Sequence, residues 1–286
     1  MNRRHAGGPA GLAGPPAWRQ MRRAARASPF DDPRGISMKL KFLAAALAAT
    51  LACGAAHAQT VLKVGSTPTG SPFTFLDTKT NTIEGVMVDI IKAVGKEAGF
   101  EVRIEPMAFS ALIGSLRSKR IDLISAAMFI TDARKKVVSF SDPVYRYGEG
   151  FMVPKDDDKQ YKSFADMKGM TVGVQVGTAF VEPIQKSGMF KEVKLYDNPP
   201  DMMRDANAGR IQGGFMDYPI AASIIAKGSY PNLKMAKSYE PTVVGSLGIA
   251  TRQEDTELLA RVNKALGKLK ADGTIDAILK KWDLAD

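Results

Sequence analysis

The segment AAMFITDARKK, Ala126 to Lys136, reads as the seam between a buried strand and a helix. Thr131 and Asp132 are the residue types expected at a helix N-terminus, as cap and first-turn acid. Arg134 is not, because that end of a helix carries partial positive charge. Either the guanidinium lies in solvent, or helix end and guanidinium point together at something negative. A strand feeding a capped helix is also the joint from which α/β layers are built, so this segment sets the fold class as well as the first functional question.

Working outward, the same joint recurs. VLKVGS (61–66) reads as a strand, VMVDIIKAVGKEAGF (86–100) as a helix ended by Gly99, and EVRIEP as a strand. SALIGSLRSKR follows as a helix and IDLISAAM (121–128) as a buried strand. After an acidic, lysine-bearing loop around DDDK (156–159) come MTVGVQVGTAF, strand then helix start, VKLYD, a strand, and RIQGGFMDYPIAASIIA, strand then helix. Two helices close the chain, with Leu258, Leu259, Val262, Ala265, Leu266 and Leu269 at helical spacing. Between those helices, ADGT reads as a C-cap glycine followed by an N-cap threonine.

The formal charge of +10 invites a nucleic-acid reading, which the N-terminus removes. From Met38 the chain runs through two lysines, an apolar core and small residues ending in AHA, the plan of a secretory signal peptide cleaved between Ala58 and Gln59. Residues 1–37, rich in Arg, Gly, Ala and Pro, read as a non-native or extended leader ahead of the signal peptide at 38–58. Without residues 1–58 the chain loses nine Lys/Arg and two Asp/Glu and stands near +3. Cys53, His5 and His57 go with them, so the mature chain has no cysteine and no histidine. That excludes disulfides, thiol or serine–histidine catalysis and ordinary zinc sites. Cys53 offers a lipid-anchored alternative, but Thr50 stands where such a site carries Leu. DDDK lacks the glycine and distal glutamate of a calcium loop, and VGVQVG lacks the acidic partner of a dinucleotide fingerprint.

Six segments carry a family resemblance: LKVGSTPTGSPF, IEGVMVDIIKAVGKEAGF, GSLRSKRIDLISAAMFITDARKKVVSFSDPVY, DMKGMTVGVQVGTAF, GGFMDYPIA and LGKLKADGTIDAILKKW. In this order they resemble the family 3 extracellular solute-binding proteins of amino-acid-type ABC importers, over residues 61–283. The resemblance implies a two-lobed α/β fold of the Venus-flytrap kind, with ligand bound in the cleft between lobes. One lobe would comprise 59–148 and 241–286, the other 149–240, with hinge crossings near Tyr147–Phe151 and Tyr239–Gly245.

In the family pattern the arginine of the ITxxR segment pairs with the ligand carboxylate, and that position is Arg134. Thr178 would hold the same carboxylate from the opposite lobe, or be an ordinary helix cap. Asp217, at a strand end, would accept the ligand ammonium, or cap the helix that Pro219 begins. Ala127 and Gln175 complete the implied ligand set. Three positions depart from the pattern: Phe129 stands where Ser or Thr is common, Thr67 where Asp is, and Gly70 where an aromatic is. Phe73, Phe109 and Phe129 could then enclose the ligand, as in members that bind ectoine-like solutes, or Phe73 and Phe109 could be core. The function implied is capture of a small zwitterion by a monomeric periplasmic protein that delivers it to an inner-membrane permease and its ATPase. It involves no catalysis, cofactor, metal or nucleic acid. The alternative is a periplasmic dehydratase of prephenate or arogenate type, with Asp217 as acid.

Overall fold

The computed structural model describes residues 60–285; the leader, the signal peptide and Cys53 lie outside the described residues. The chain opens with β1 (Thr60–Ser66) and a small antiparallel sheet of β2 (Thr69–Gly70), β3 (Thr74–Asp77) and β4 (Thr82–Glu84). It continues through α1 (Val86–Ala98), β5 (Phe100–Pro106), α2 (Leu112–Arg117), β6 (Leu123–Ile124), α3 (Asp132–Lys135) and β7 (Ser139–Phe140). Then β8 (Tyr145–Pro154) leads into β9 (Thr171–Gln175), α4 (Val181–Lys186), β10 (Glu192–Tyr196), α5 (Pro199–Asn207), β11 (Gly213–Asp217), α6 (Tyr218–Ala226) and β12 (Leu233–Met235). The return runs through β13 (Val244–Leu247), β14 (Ala250–Thr251), α7 (Thr256–Ala271) and α8 (Thr274–Lys281).

These strands form two main sheets, ordered β5-β1-β6-β14-β7 and β10-β9-β11-β8-β12. Each has a parallel centre, β1 with β5 and β6, β9 with β10 and β11, because helices connect those strands. In the first lobe α1 buries Val86, Met87, Ile90, Ile91 and Val94 and stops at Gly99, whose φ of 77° only glycine adopts cheaply. Packed on α1, α7 buries Val262, Ala265, Leu266 and Leu269. Lys281 and the Trp282 indole bind Asp89 of α1 at 2.7 and 2.8 Å. The second lobe has an aromatic core in which Phe151 and Phe215 lie 4.6 Å apart between ring centres.

One strand serves both lobes. The first half of β8, Tyr145 to Gly148, pairs with β13, while its second half pairs with β11 and β12. Beside it, β13 continues toward the first lobe through a bridge between Leu247 and Phe129. Glu149, 1% exposed, ties the two crossings: its carboxylate accepts from Tyr239 Oη (2.7 Å) and the backbone N–H groups of Thr242 (2.7 Å) and Val243 (2.8 Å). Gly245 is where Phe129 lies flat on the crossing; a Cβ there would sit 2.4 Å from the Phe129 ring.

Four local expectations need correction. The strand over 121–128 shrinks to Leu123–Ile124, because Ser125 bonds the Met87 carbonyl through its hydroxyl and Ala127 turns into the left-handed region at φ 51°. The chain is thereby redirected so that Ile130 N–H reaches the Ser246 carbonyl at 2.8 Å. The helix over 110–120 is shorter, a turn at Phe109–Ala111 followed by α2. Thr178 does not start a helix, since α4 begins at Val181. Finally, Thr274 is the first residue of α8 rather than its cap; its N–H and hydroxyl both donate to Asp272.

Candidate ligand-binding site

A cavity of about 30 Å³ lies between the lobes, lined by Phe109, Ala127, Phe129 and Arg134 from one side and Gln175, Thr178, Phe180 and Asp217 from the other. Its geometry starts at Arg134. The helix around it, α3, is a single turn; Thr131 caps it, accepting from Arg134 N–H at 3.2 Å. Arg134 is 9% exposed, and its guanidinium fork reaches two carbonyls in different lobes: Phe129 at 2.7 Å and Gly177 at 2.9 Å. It also lies 5.6 Å from the centre of the Phe109 ring, within cation–π range. Burial pulls Arg134 down to about 10, partly offset by Asp217 and Tyr147, so it stays cationic at neutral pH. The oddity of a basic residue in a first turn is resolved: the side chain turns into the cleft.

Asp217 ends β11 opposite Glu149 and directly precedes α6, where Pro219 occupies an early position. Its side chain makes no cap bond to the helix. Instead Tyr147 Oη donates to Asp217 Oδ1 at 2.5 Å. Burial pushes the Asp217 carboxyl up to about 6, while Tyr147 and Arg134 pull against that shift. Tyr147 itself is held well above its ordinary range, mainly by burial and then by the Asp217 charge, so it remains a neutral donor.

The other anticipated residues divide. Thr178 lines the cavity, but its hydroxyl donates to the Gln175 carbonyl at 2.8 Å. Gln175 is 8% exposed, and its amide donates to the Asp197 carbonyl at 3.2 Å. Ala127 lines the wall in its left-handed conformation. Phe129 and Phe109 face the cavity, and Phe129 packs edge-on against Phe180 at 5.4 Å. Phe73 does not join them. It is fully buried against Tyr145 and Tyr147 and does not line the cavity. Phe180 lines the cavity, which Phe73 does not.

Tyr147, Phe180, Thr69, Thr74 and Ile220 are site residues that sequence reasoning missed. Thr74 is paired with Thr67 hydroxyl to hydroxyl at 2.7 Å, a contact across seven positions that no local motif marks. Among the described residues there is no cluster of three His, Cys, Asp or Glu that could hold a metal, and no helix long and apolar enough to cross a membrane.

Such a site offers a fixed cation and a carboxylate across one small cavity. A buried unpaired charge is costly, so each end calls for an opposite charge on whatever enters. A single molecule carrying both a carboxylate and an ammonium meets that demand.

Comparison with known proteins places the chain among carriers of such molecules. ABC transporter arginine-binding protein 1 of Escherichia coli (strain K12) is 33% identical over 243 residues, covering 85% of this chain and 98% of that one. An ancestral arginine-binding protein bound to arginine superposes with a TM-score of 0.72 at 36% identity, over 79% of this chain and 99% of the other. An ancestral amino acid-binding protein, described as a precursor of cyclohexadienyl dehydratase, gives a TM-score of 0.70 at 31% identity, over 78% and 95%. The sequence model for bacterial extracellular solute-binding proteins, family 3, matches residues 62–285, and the chain belongs to that family, as a two-lobed α/β solute-binding protein of ABC transport.

Proposed function

We propose that the protein captures a small zwitterion of amino-acid type between its lobes and delivers it to a membrane permease driven by an ATPase. The observation that carries this reading is the placement of Arg134 and Asp217 on one cavity. Arg134 would take the carboxylate through its fork, a planar donor pair suited to that group. Asp217 would take the ammonium, with Tyr147 orienting it. Residues 59–148 with 241–286 would then close on 149–240 by bending β8 and β13, a motion that needs only a few residues. Export would follow cleavage after Ala58, and the protein would work as a monomer in the periplasm.

The test is calorimetry on the purified protein, unfolded and refolded to strip carried-over ligand. Arg134→Ala should abolish binding of any carboxylate ligand while the melting curve stays cooperative. Unchanged affinity would sink the proposal. A dehydratase is the second reading, favoured by an Asp217 that titrates near 6, a usable acid. Incubation with prephenate should return it unchanged; turnover that Asp217→Asn abolishes would replace the carrier reading.

A further inference from the structure

We infer that the cleft selects a compact zwitterion, one carboxylate, one ammonium and a short uncharged body, and rejects cationic amino acids such as arginine and lysine. This rests on the site reading above and names its ligand class.

The first observation is charge. Among the described residues lining the cavity, Asp217 is the one carboxylate and Arg134 the one cation. Asp217 already accepts from Tyr147 and is the counter-charge of Arg134 within the site. A ligand's ammonium uses its remaining capacity. A second positive group on the ligand would meet threonine hydroxyls, a glutamine amide and aromatic rings, none of which carries charge. The Thr67 and Thr74 hydroxyls already share one hydrogen between them at 2.7 Å, both side chains buried. Removing one partner of a buried ion pair is strongly destabilising, and a guanidinium buried here would be in that position from the start. An aromatic face alone repays only a part of that desolvation.

The second observation is space. The cavity is small, about 30 Å³. The two lobes come close together around it. At one place, Gly70 faces Ile220, and a Cβ on Gly70 would sit 3.3 Å from Ile220 Cδ1. At another, Gly177 faces Ser110, and a Cβ on Gly177 would sit 3.2 Å from Ser110 Cα. Outside these, Lys227 of the second lobe donates to Ser71 at 2.8 Å and lies 5.5 Å from the Phe75 ring centre, both in the first lobe. The longer the side chain, the more of these contacts it has to part.

Both observations bear on selectivity, and they act through different atoms. Calorimetry on refolded protein can separate them, using alanine, serine, proline, valine and an ectoine-type cyclic solute beside arginine, lysine, glutamate and leucine. One or more of the short neutral zwitterions should bind, with arginine and lysine about 100-fold weaker or worse. Leucine should fall between, limited by length alone. Thr67→Asp, which adds a carboxylate to the wall, should narrow the arginine deficit at least tenfold without improving leucine. Arginine or lysine binding as tightly as the short ligands, with Arg134→Ala abolishing it, overturns this inference and leaves the carrier reading standing. If no ligand of any class binds, both fall.

Discussion

Asp217 makes the ligand affinity pH-dependent in a range where little else titrates. The carboxyl sits at about 6, raised by burial, and must be ionised to hold an ammonium. At pH 7.5 it is about 97% ionised and at pH 5 about 9%, so the dissociation constant should rise about tenfold, or about 1.4 kcal/mol. The direction follows from the sign of the shift. Ligand affinity is full above about 6 and is lost as pH falls through it. The ligand-free protein behaves oppositely: a carboxyl raised from 3.8 to about 6 contributes stability that is present below the ordinary value and lost as pH rises through about 6. The stabilisation conferred by ligand should therefore grow with pH between 5 and 7.5. No histidine occurs between residues 60 and 285, so no imidazole titration confuses the measurement. Two variants sharpen it. Asp217→Asn should weaken binding and flatten the profile. Tyr147→Phe removes a hydrogen bond that lowers the carboxyl's pKa, so its midpoint should move upward. Isothermal calorimetry at half-unit steps from pH 5 to 7.5 reads all three. A wild-type affinity constant across that range, with the fold intact at pH 5, would refute the assignment of Asp217 to the ammonium.

Other consequences concern the crossings. Glu149→Gln replaces one of two acceptor oxygens with a donor facing backbone N–H groups, so unfolding free energy should fall by about 1–3 kcal/mol. A change under about 0.5 kcal/mol in denaturant titration would show that the carboxylate does not tie the crossings. Gly245→Ala should displace the Phe129 ring at a cost of about 1–3 kcal/mol. Because the Phe129 carbonyl anchors Arg134, the same variant should also weaken ligand binding, which calorimetry would report.

What the sequence carried was mostly local. Gly99 as a left-handed stop, Thr131 as a cap and the buried stripe of α7 each depend on residues within a turn or two, and each is present in the structure. Arg134 stood out because it broke a local rule, and the rule-breaker turned out to face the cleft. The misses have non-local causes. Tyr147 reaches Asp217 across 70 positions, and nothing near either residue marks the pair. Phe73 and Phe180 look alike in sequence; which one faces the cavity depends on partners far along the chain, Tyr145 and Tyr147 for the first and Phe129 for the second. The apolar run at 121–128 promised a long strand, yet the hydroxyl of Ser125 and the turn at Ala127 end it after Ile124. That break delivers Phe129 and Arg134 to the cleft instead of to the sheet. The lobes' relation to Glu149 was equally invisible, since its partners lie 90 to 94 positions away, on the far side of the second lobe's sequence.

The return of α7 and α8 to the first lobe has a consequence for the order in which the chain folds. Asp89 waits for Lys281 and Trp282, 192 and 193 positions later, while the main sheet of the second lobe is assembled from strands lying between residues 145 and 235. Closing the longer loop costs more chain entropy and comes later. Until α7 and α8 arrive, the side of α1 that packs on them stays uncovered. A nascent or partly threaded chain is thus kept pliable by its own topology, with the half that anchors Arg134 the last to become rigid. The ability to bind would then appear abruptly, at completion, and no fragment ending before α7 should acquire it.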